Sequence, residues 1–179
     1  MIQSIRQRSS YKWWALVAVE VGNVTSSLTH SAAIVALPSV AVHYKTDLPT
    51  VQWIVLAELL ATAALMLPMG RLSDIIGRKQ VFMAGLCTFG VGGLLAGTAG
   101  SINILIIAML IQGCGAAMIQ GMGMALVASL FPANERGKGL GAHMSSMGAG
   151  AIVGPALGGL LISAIHWRAV FFIPVPMSI

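Results

Sequence analysis

Glu58 stands near the middle of an apolar run, where a carboxylate needs a reason. An ionised carboxylate at the centre of a membrane-spanning helix costs roughly 2.5–3.5 kcal/mol on insertion scales, so it must face a bundle interior or carry a proton. His30 lies at a similar depth in the preceding run, counted inward from the run ends. Histidine and a carboxyl group of raised pKa both titrate near neutral pH, so a His30–Glu58 pair suits proton exchange. The alternative is a Glu58 that only hydrogen-bonds a neighbouring helix. Glu20, Asn23, Ser27 and His30 recur at steps of three and four, which places them on one helical face. That stripe either lines a cavity or glues helices together. Gln112 and Gln120 share a face of a later run with Ala116, and Met109 lies one turn before Gln112. Methionine is soft and adaptable, so Met109, Met118 and Met122 either accommodate varied lipophilic cations or pack as ordinary core. The candidate cavity lining is thus Glu20, Asn23, Ser27, Met109, Gln112 and Gln120. The sequence holds no nucleophile elbow, no phosphate loop and no pair of His or Cys ligands at metal spacing. It points to no enzyme, no metal and no cofactor.

These residues are carried by long apolar elements. Hydrophobic residues make up 57% of the 179 and charged residues 8%, against about a quarter charged in soluble domains. A hydrocarbon core of about 30 Å needs about 20 helical residues. Five runs meet that length: Trp13 to Val42, Val51 to Met69, Val81 to Ala99, Ile102 to Leu130 and Leu140 to Ile165. A sixth starts at Ala169 and reaches Ile179 after roughly 16 Å of helix, half a crossing. The fold class is therefore all-α: a polytopic membrane helix bundle of five transmembrane helices plus an incomplete sixth. The partner is a lipid bilayer.

The net charge of +5 does not indicate nucleic acid, because the Lys and Arg residues neither cluster on one face nor interleave with exposed aromatics. They mark turns. Arg6, Arg8, Lys12, Arg71, Arg78, Lys79, Arg136 and Lys138 fall on one side of the membrane, Lys45 and Arg168 on the other. The positive-inside rule then makes the N-terminus, residues 1–12, cytoplasmic. Trp13, Trp14, Trp53 and Trp167 sit at run ends, where indole favours the headgroup region. Cys87 and Cys114 both lie inside runs and define no disulfide framework. The first run is too long for a signal peptide and lacks a small-residue cleavage site, so it stays as an uncleaved helix.

Most prolines lie near run ends, but Pro155 lies well inside the fifth, where its surroundings should be protein or a water-filled cavity. Gly150, Gly154 and Gly158 share a face four residues apart and let a neighbour approach closely. Gly93 and Gly97 repeat that spacing in the third run.

Between the second and third runs stands Gly70-Arg71-Leu72-Ser73-Asp74-Ile75-Ile76-Gly77-Arg78-Lys79. This resembles the cytoplasmic loop signature G-x-L-x-D-x-x-G-R-K of the major facilitator superfamily, matched at Gly70, Leu72, Asp74, Gly77, Arg78 and Lys79. Glycine permits a tight reversal, Asp74 can cap or pair at a helix start, and Arg78 and Lys79 hold the loop in the cytosol. Gly141, Gly150, Gly154, Pro155, Gly158 and Gly159 are similar to the fifth-helix pattern of antiporters in that superfamily, G-x8-G-x3-G-P-x2-G-G. Ala36-Leu37-Pro38, Ile111 to Ala117 and His166 to Phe172 resemble the fourteen-helix drug:proton antiporter branch.

Three positions depart from that branch. Thr29 stands where an acidic residue is usual, Met109 where an arginine is usual, and Ile173-Pro174-Val175-Pro176 replaces Ile-Asn-Val-Pro. The His30–Glu58 pair is the candidate replacement for the missing acid and arginine. The resemblance implies that residues 13–179 form the N-terminal transmembrane bundle of a major facilitator transporter, cut within the sixth helix, in the cell membrane. It implies proton-coupled efflux of drugs or other lipophilic, amphipathic compounds by alternating access, with protons and a small lipophilic molecule as partners. The missing C-terminal helical half is a further expected partner, and the fragment alone should be inactive. The alternatives are a metabolite or organic-ion carrier of the same superfamily, or a truncated half that binds and regulates a full-length transporter.

Overall fold

The computed structural model describes residues 9–132 and 134–176. Its elements are α1 (Ser9–Tyr44), α2 (Leu48–Ile76), α3 (Arg78–Gly97), α4 (Ile102–Leu130), α5 (Arg136–Ala164) and the short α6 (Ala169–Phe172). There is no strand among the described residues. The first five are each long and apolar enough to cross a membrane. The chain is an all-α, multi-pass bundle.

Several helices outrun the apolar runs that announce them, because a helix satisfies its own backbone while polar flanks reach water. The junction between α2 and α3 shows this most clearly and corrects the expected loop. Residues 70–76 continue α2, so Gly70 lies inside a helix and takes no part in the reversal. The chain turns at Gly77 alone, whose φ of 105° and ψ of 133° suit glycine and strain any other residue. Asp74 belongs to the last turn of α2 and caps no helix start. It pairs instead with Arg78 across the junction at 3.6 Å. Pro68 also falls inside α2, two turns before its end.

α4 is the central element. It packs along α2 on one side and α3 on the other, while α5 lies along α1. Two apolar cores form at opposite ends of the bundle. In one, Ala33, Ala36 and Val40 of α1 meet Val51 and Ile54 of α2 and Leu105, Ala108 and Met109 of α4. In the other, Leu16 and Val19 of α1 meet Phe82 and Phe89 of α3 and Ile119, Met122 and Val127 of α4. Between the cores the buried residues turn polar: Asn23, Thr25, Ser26 and Thr29 of α1, Glu58 of α2 and Gln112 of α4. The bundle thus has a polar middle between two dry ends.

Small residues set the helix spacing. At Gly154 an added Cβ would lie 2.7 Å from the carbonyl oxygen of Leu28, so α5 touches the backbone of α1. The glycine face of α5 therefore turns inward, and Pro155, the next residue round the helix, is exposed on the described bundle rather than enclosed. Trp167 is also placed otherwise than expected. It is buried in the first core, edge-on to Phe171 and Tyr44.

Candidate functional site

α1 and α2 bring His30 and Glu58 together, with His30 Nδ1 3.0 Å from Glu58 Oε2. The Glu58 side chain is 4% exposed and that of His30 30%, so the carboxylate is sealed while the imidazole looks into open space. That space is a cavity of 220 Å³ whose polar wall is Ser27, His30, Ser31, Glu58, Thr62 and Gln120, closed by Met147 and Ala151 of α5. Four helices therefore contribute to it. The backbone around the pair is also held. Thr62 Oγ1 lies 2.8 Å from the Glu58 carbonyl oxygen and 3.1 Å from that of Gly113, stitching α2 to α4 beside the carboxylate. Gly113 makes this possible, since a Cβ there would fall 2.5 Å from the same Glu58 oxygen. Ser27 Oγ donates to the carbonyl of Met147 at 2.8 Å, fixing α5 against the cavity rim.

A second histidine–carboxylate pair lies on the same helix. Glu20 Oε1 is 2.8 Å from His143 Nδ1, and both side chains are largely buried. Ser146 Oγ donates to the other oxygen of Glu20. Glu20 and His30 are ten residues apart on α1, about 15 Å at helical rise. The two pairs are therefore separate, one joining α1 to α2 and the other α1 to α5. Of these three residues Glu20 alone belongs to the expected polar stripe; His143 and Ser146 lie outside the candidates. A signal existed: residues 143, 146 and 150 repeat at helical spacing, which puts the histidine and serine on the face of Gly150 and Gly154.

The expected polar stripe of α1 splits among three neighbours. Ser27 and His30 reach the cavity, as does Gln120 from α4, whose Nε2 lies 3.5 Å from Ser26 Oγ. Glu20 does not; it borders a separate groove between α1 and α5 with Val17, Val24 and Ser146. Asn23 does not either, because it is buried against α4, where a Cβ on Gly123 would lie 2.6 Å from its Nδ2. The four share one face but are spread along about 15 Å of helix, and different neighbours meet that face at different heights: α5 at Glu20, α4 at Asn23 and α2 at His30.

Met109 and Gln112 are likewise corrected from lining to interior. Met109 is fully buried among Ala33, Ile54 and Leu105. Gln112 is fully buried where α4 crosses Gly92 of α3, and neither of its amide atoms has a partner among the described residues. The methionine that does face the cavity is Met147.

The two motif segments are structural in different ways. At the α2–α3 junction Arg78 reaches past Asp74 to the carbonyl of Ala125 on α4 at 3.4 Å, while Leu72 and Lys79 are exposed. In α5, Gly150, Gly154 and Gly158 contact α1, whereas Gly141 and Gly159 have no neighbour within 4 Å of an added Cβ.

Residues 20–179 match the family model described as Major Facilitator Superfamily. A riboflavin transporter of Clostridioides difficile is 32% identical over 94% of this chain and 37% of its own length. A tetracenomycin C resistance and export protein of Streptomyces glaucescens is 32% identical over 93% of the chain and 31% of its own length. A puromycin resistance protein of Streptomyces alboniger is 34% identical, with 94% and 34% covered. The chain spans about a third of the length of these curated relatives. Five apolar crossings, the polar middle layer and a family match over most of its residues lead to one assignment: this chain belongs to the major facilitator superfamily.

Proposed function

We propose that this bundle is part of a proton-coupled exporter of lipophilic or amphipathic compounds, and that His30 and Glu58 carry the coupling. The observation that supports this is the sealed Glu58 carboxylate, 3.0 Å from His30 on the wall of a cavity between four helices. A buried carboxylate must be matched by a positive partner or a proton. His30 supplies that partner when protonated, and a cationic compound or a proton entering the cavity competes for the same oxygens. Exchange of the two is then driven by the proton gradient, while alternating access rocks this bundle against a second helical half. The names of the Streptomyces relatives, which include resistance and export, favour outward transport. The basic residues at the α2–α3 and α4–α5 turns support an orientation with those turns and the N-terminus in the cytoplasm.

Proteoliposomes holding the complete transporter that contains this bundle test the proposal. Glu58→Gln should abolish dye export driven by a pH gradient while dye binding persists; undiminished pumping would overturn it. Reporter fusions after Gly77 and after Pro132 should share one side of the membrane, and opposite sides would refute the orientation. A second reading follows from the riboflavin transporter among the relatives, in which the cargo is a metabolite. Competition between flavins and cationic dyes for export separates the two.

A further inference from the structure

A second, larger depression lies away from the His30 cavity, on the outer surface between α1, α3 and α4. It measures 540 Å³ and its floor is apolar, with Phe82, Met83 and Leu86 of α3 facing Leu126 and Leu130 of α4. Lys79 is its one charged lining residue, and Trp14 of α1, largely exposed, stands at its edge. Lys79, Phe82, Met83 and Leu86 follow at three- and four-residue steps, so a cation heads an apolar stripe about 10 Å long. A smaller depression of 420 Å³ adjoins it, lined by Gly77, Arg78, Lys79 and Gln80, and the two share Lys79, Leu126 and Ser129. No lining residue of either is acidic. The nearby carboxylate, Asp74, is turned to Arg78. Lys79 has no ion-pair partner among the described residues.

We infer that this double depression is a binding site for one anionic glycerophospholipid, its phosphate on Lys79 in the basic lobe and its acyl chains along Phe82, Met83 and Leu86 in the apolar one. The charge order decides the occupant. A zwitterionic lipid would bring its own cation to a rim that already holds Arg78 and Lys79, and a compact polar solute would leave the apolar lobe unfilled. An anionic lipid matches both lobes at once, and the edge tryptophan sits where indole favours the headgroup level. The site uses none of the residues assigned to proton exchange.

Native mass spectrometry of the chain released from micelles containing equal phosphatidylglycerol and phosphatidylcholine of the same acyl length tests this. The phosphatidylglycerol adduct should be favoured about fivefold, the factor expected of one lysine at an anionic lipid surface. Lys79→Gln should erase the preference, Lys79→Arg should keep it, and Lys138→Gln, on another turn, should leave it unchanged. Leu86→Trp, which fills the trough, should lower retention of both lipids. Equal retention of the two lipids by the unmodified chain, a preference that survives Lys79→Gln, or full retention by Leu86→Trp would each overturn the assignment.

Discussion

The contact between α1 and α5 gives the sharpest test of the architecture, through a pair of alanine substitutions on one helix. At Gly154 an added Cβ lies 2.7 Å from the backbone oxygen of Leu28 and also meets Ser31. The Ser31 hydroxyl can rotate away from its bonds to Ser27 and Leu28, but the backbone cannot. Restoring an ordinary contact of 3.4 Å therefore opens the helix pair by roughly 0.7 Å, and a gap of that size forfeits about a quarter to a half of each dispersion contact along the seam. Overpacking of this kind costs about 1–3 kcal/mol. At Gly159, on the same helix, nothing lies within 4 Å of the added carbon. Both substitutions share the helix-propensity gain of up to about 1 kcal/mol, which cancels in their difference. Gly154→Ala should thus be less stable than Gly159→Ala by about 1–3 kcal/mol in denaturant titrations of the chain in micelles, read by circular dichroism. Equal stability of the two variants would show that α5 does not rest on α1 through its glycines.

Two further outcomes follow from polar contacts. Replacing His143 by leucine leaves the largely buried Glu20 without its imidazole, with Ser146 as its remaining side-chain donor among the described residues, and should cost about 1–3 kcal/mol in the same titration; a neutral result would mean that the pair contributes nothing to holding α1 against α5. Asp47, in the exposed turn before α2, accepts a hydrogen bond from the Thr50 hydroxyl at 2.6 Å, which holds its carboxyl below the usual carboxylate range. A depressed folded-state pKa means that the contact favours the fold above the ordinary aspartate pKa and is lost as pH falls through the folded value. Thr50→Val should raise the Asp47 titration midpoint toward that of a free aspartate in carbon-detected NMR, and an unmoved midpoint would assign the shift to another cause.

The crossings were legible because hydrocarbon length and apolar composition leave few alternatives, and the family match bears out the resemblance that the two motif segments announce. The faces of the helices were less legible. Periodicity put Glu20, Asn23, Ser27 and His30 on one side of α1, yet it cannot say how many neighbours share that side, and α2, α4 and α5 divide it. Met109 and Gln112 show the same limit from α4. A uniformly apolar helix with neighbours on three sides carries no strong moment, so a residue facing a cavity and one facing a core have similar sequence surroundings. Glycine spacing gave the better guide, since Gly150, Gly154 and Gly158 can serve close approach only where a partner helix runs alongside. The expected reversal over residues 70–79 shrank to one glycine because polar residues at the end of a membrane helix need not leave the helix to reach water.

The proposed exchange site and the middle of the α1–α5 seam lie within about one turn of each other on α1, and this proximity constrains how they can act on each other. Ser27 donates to Met147 of α5 one turn before His30, Ser31 lies over Gly154 immediately after it, and His30 itself points across to Glu58 of α2. A change of charge on the pair therefore acts on a segment whose other side is gripped by small-residue contacts with little room to yield. On the α2 side the backbone of Glu58 is pinned by Thr62 and by the close approach of Gly113. The two walls of the cavity differ in kind: α2 is fixed to the central helix α4, whereas α5 is held to α1 by close glycine contacts, the Ser27–Met147 bond and the buried Glu20 contacts to His143 and Ser146, with few large apolar side chains buried from α5. Under the proposed function, a displacement of α1 at His30 would therefore reach α5 through the Ser27–Met147 bond and the Gly154 contact, and α2 through Glu58 itself.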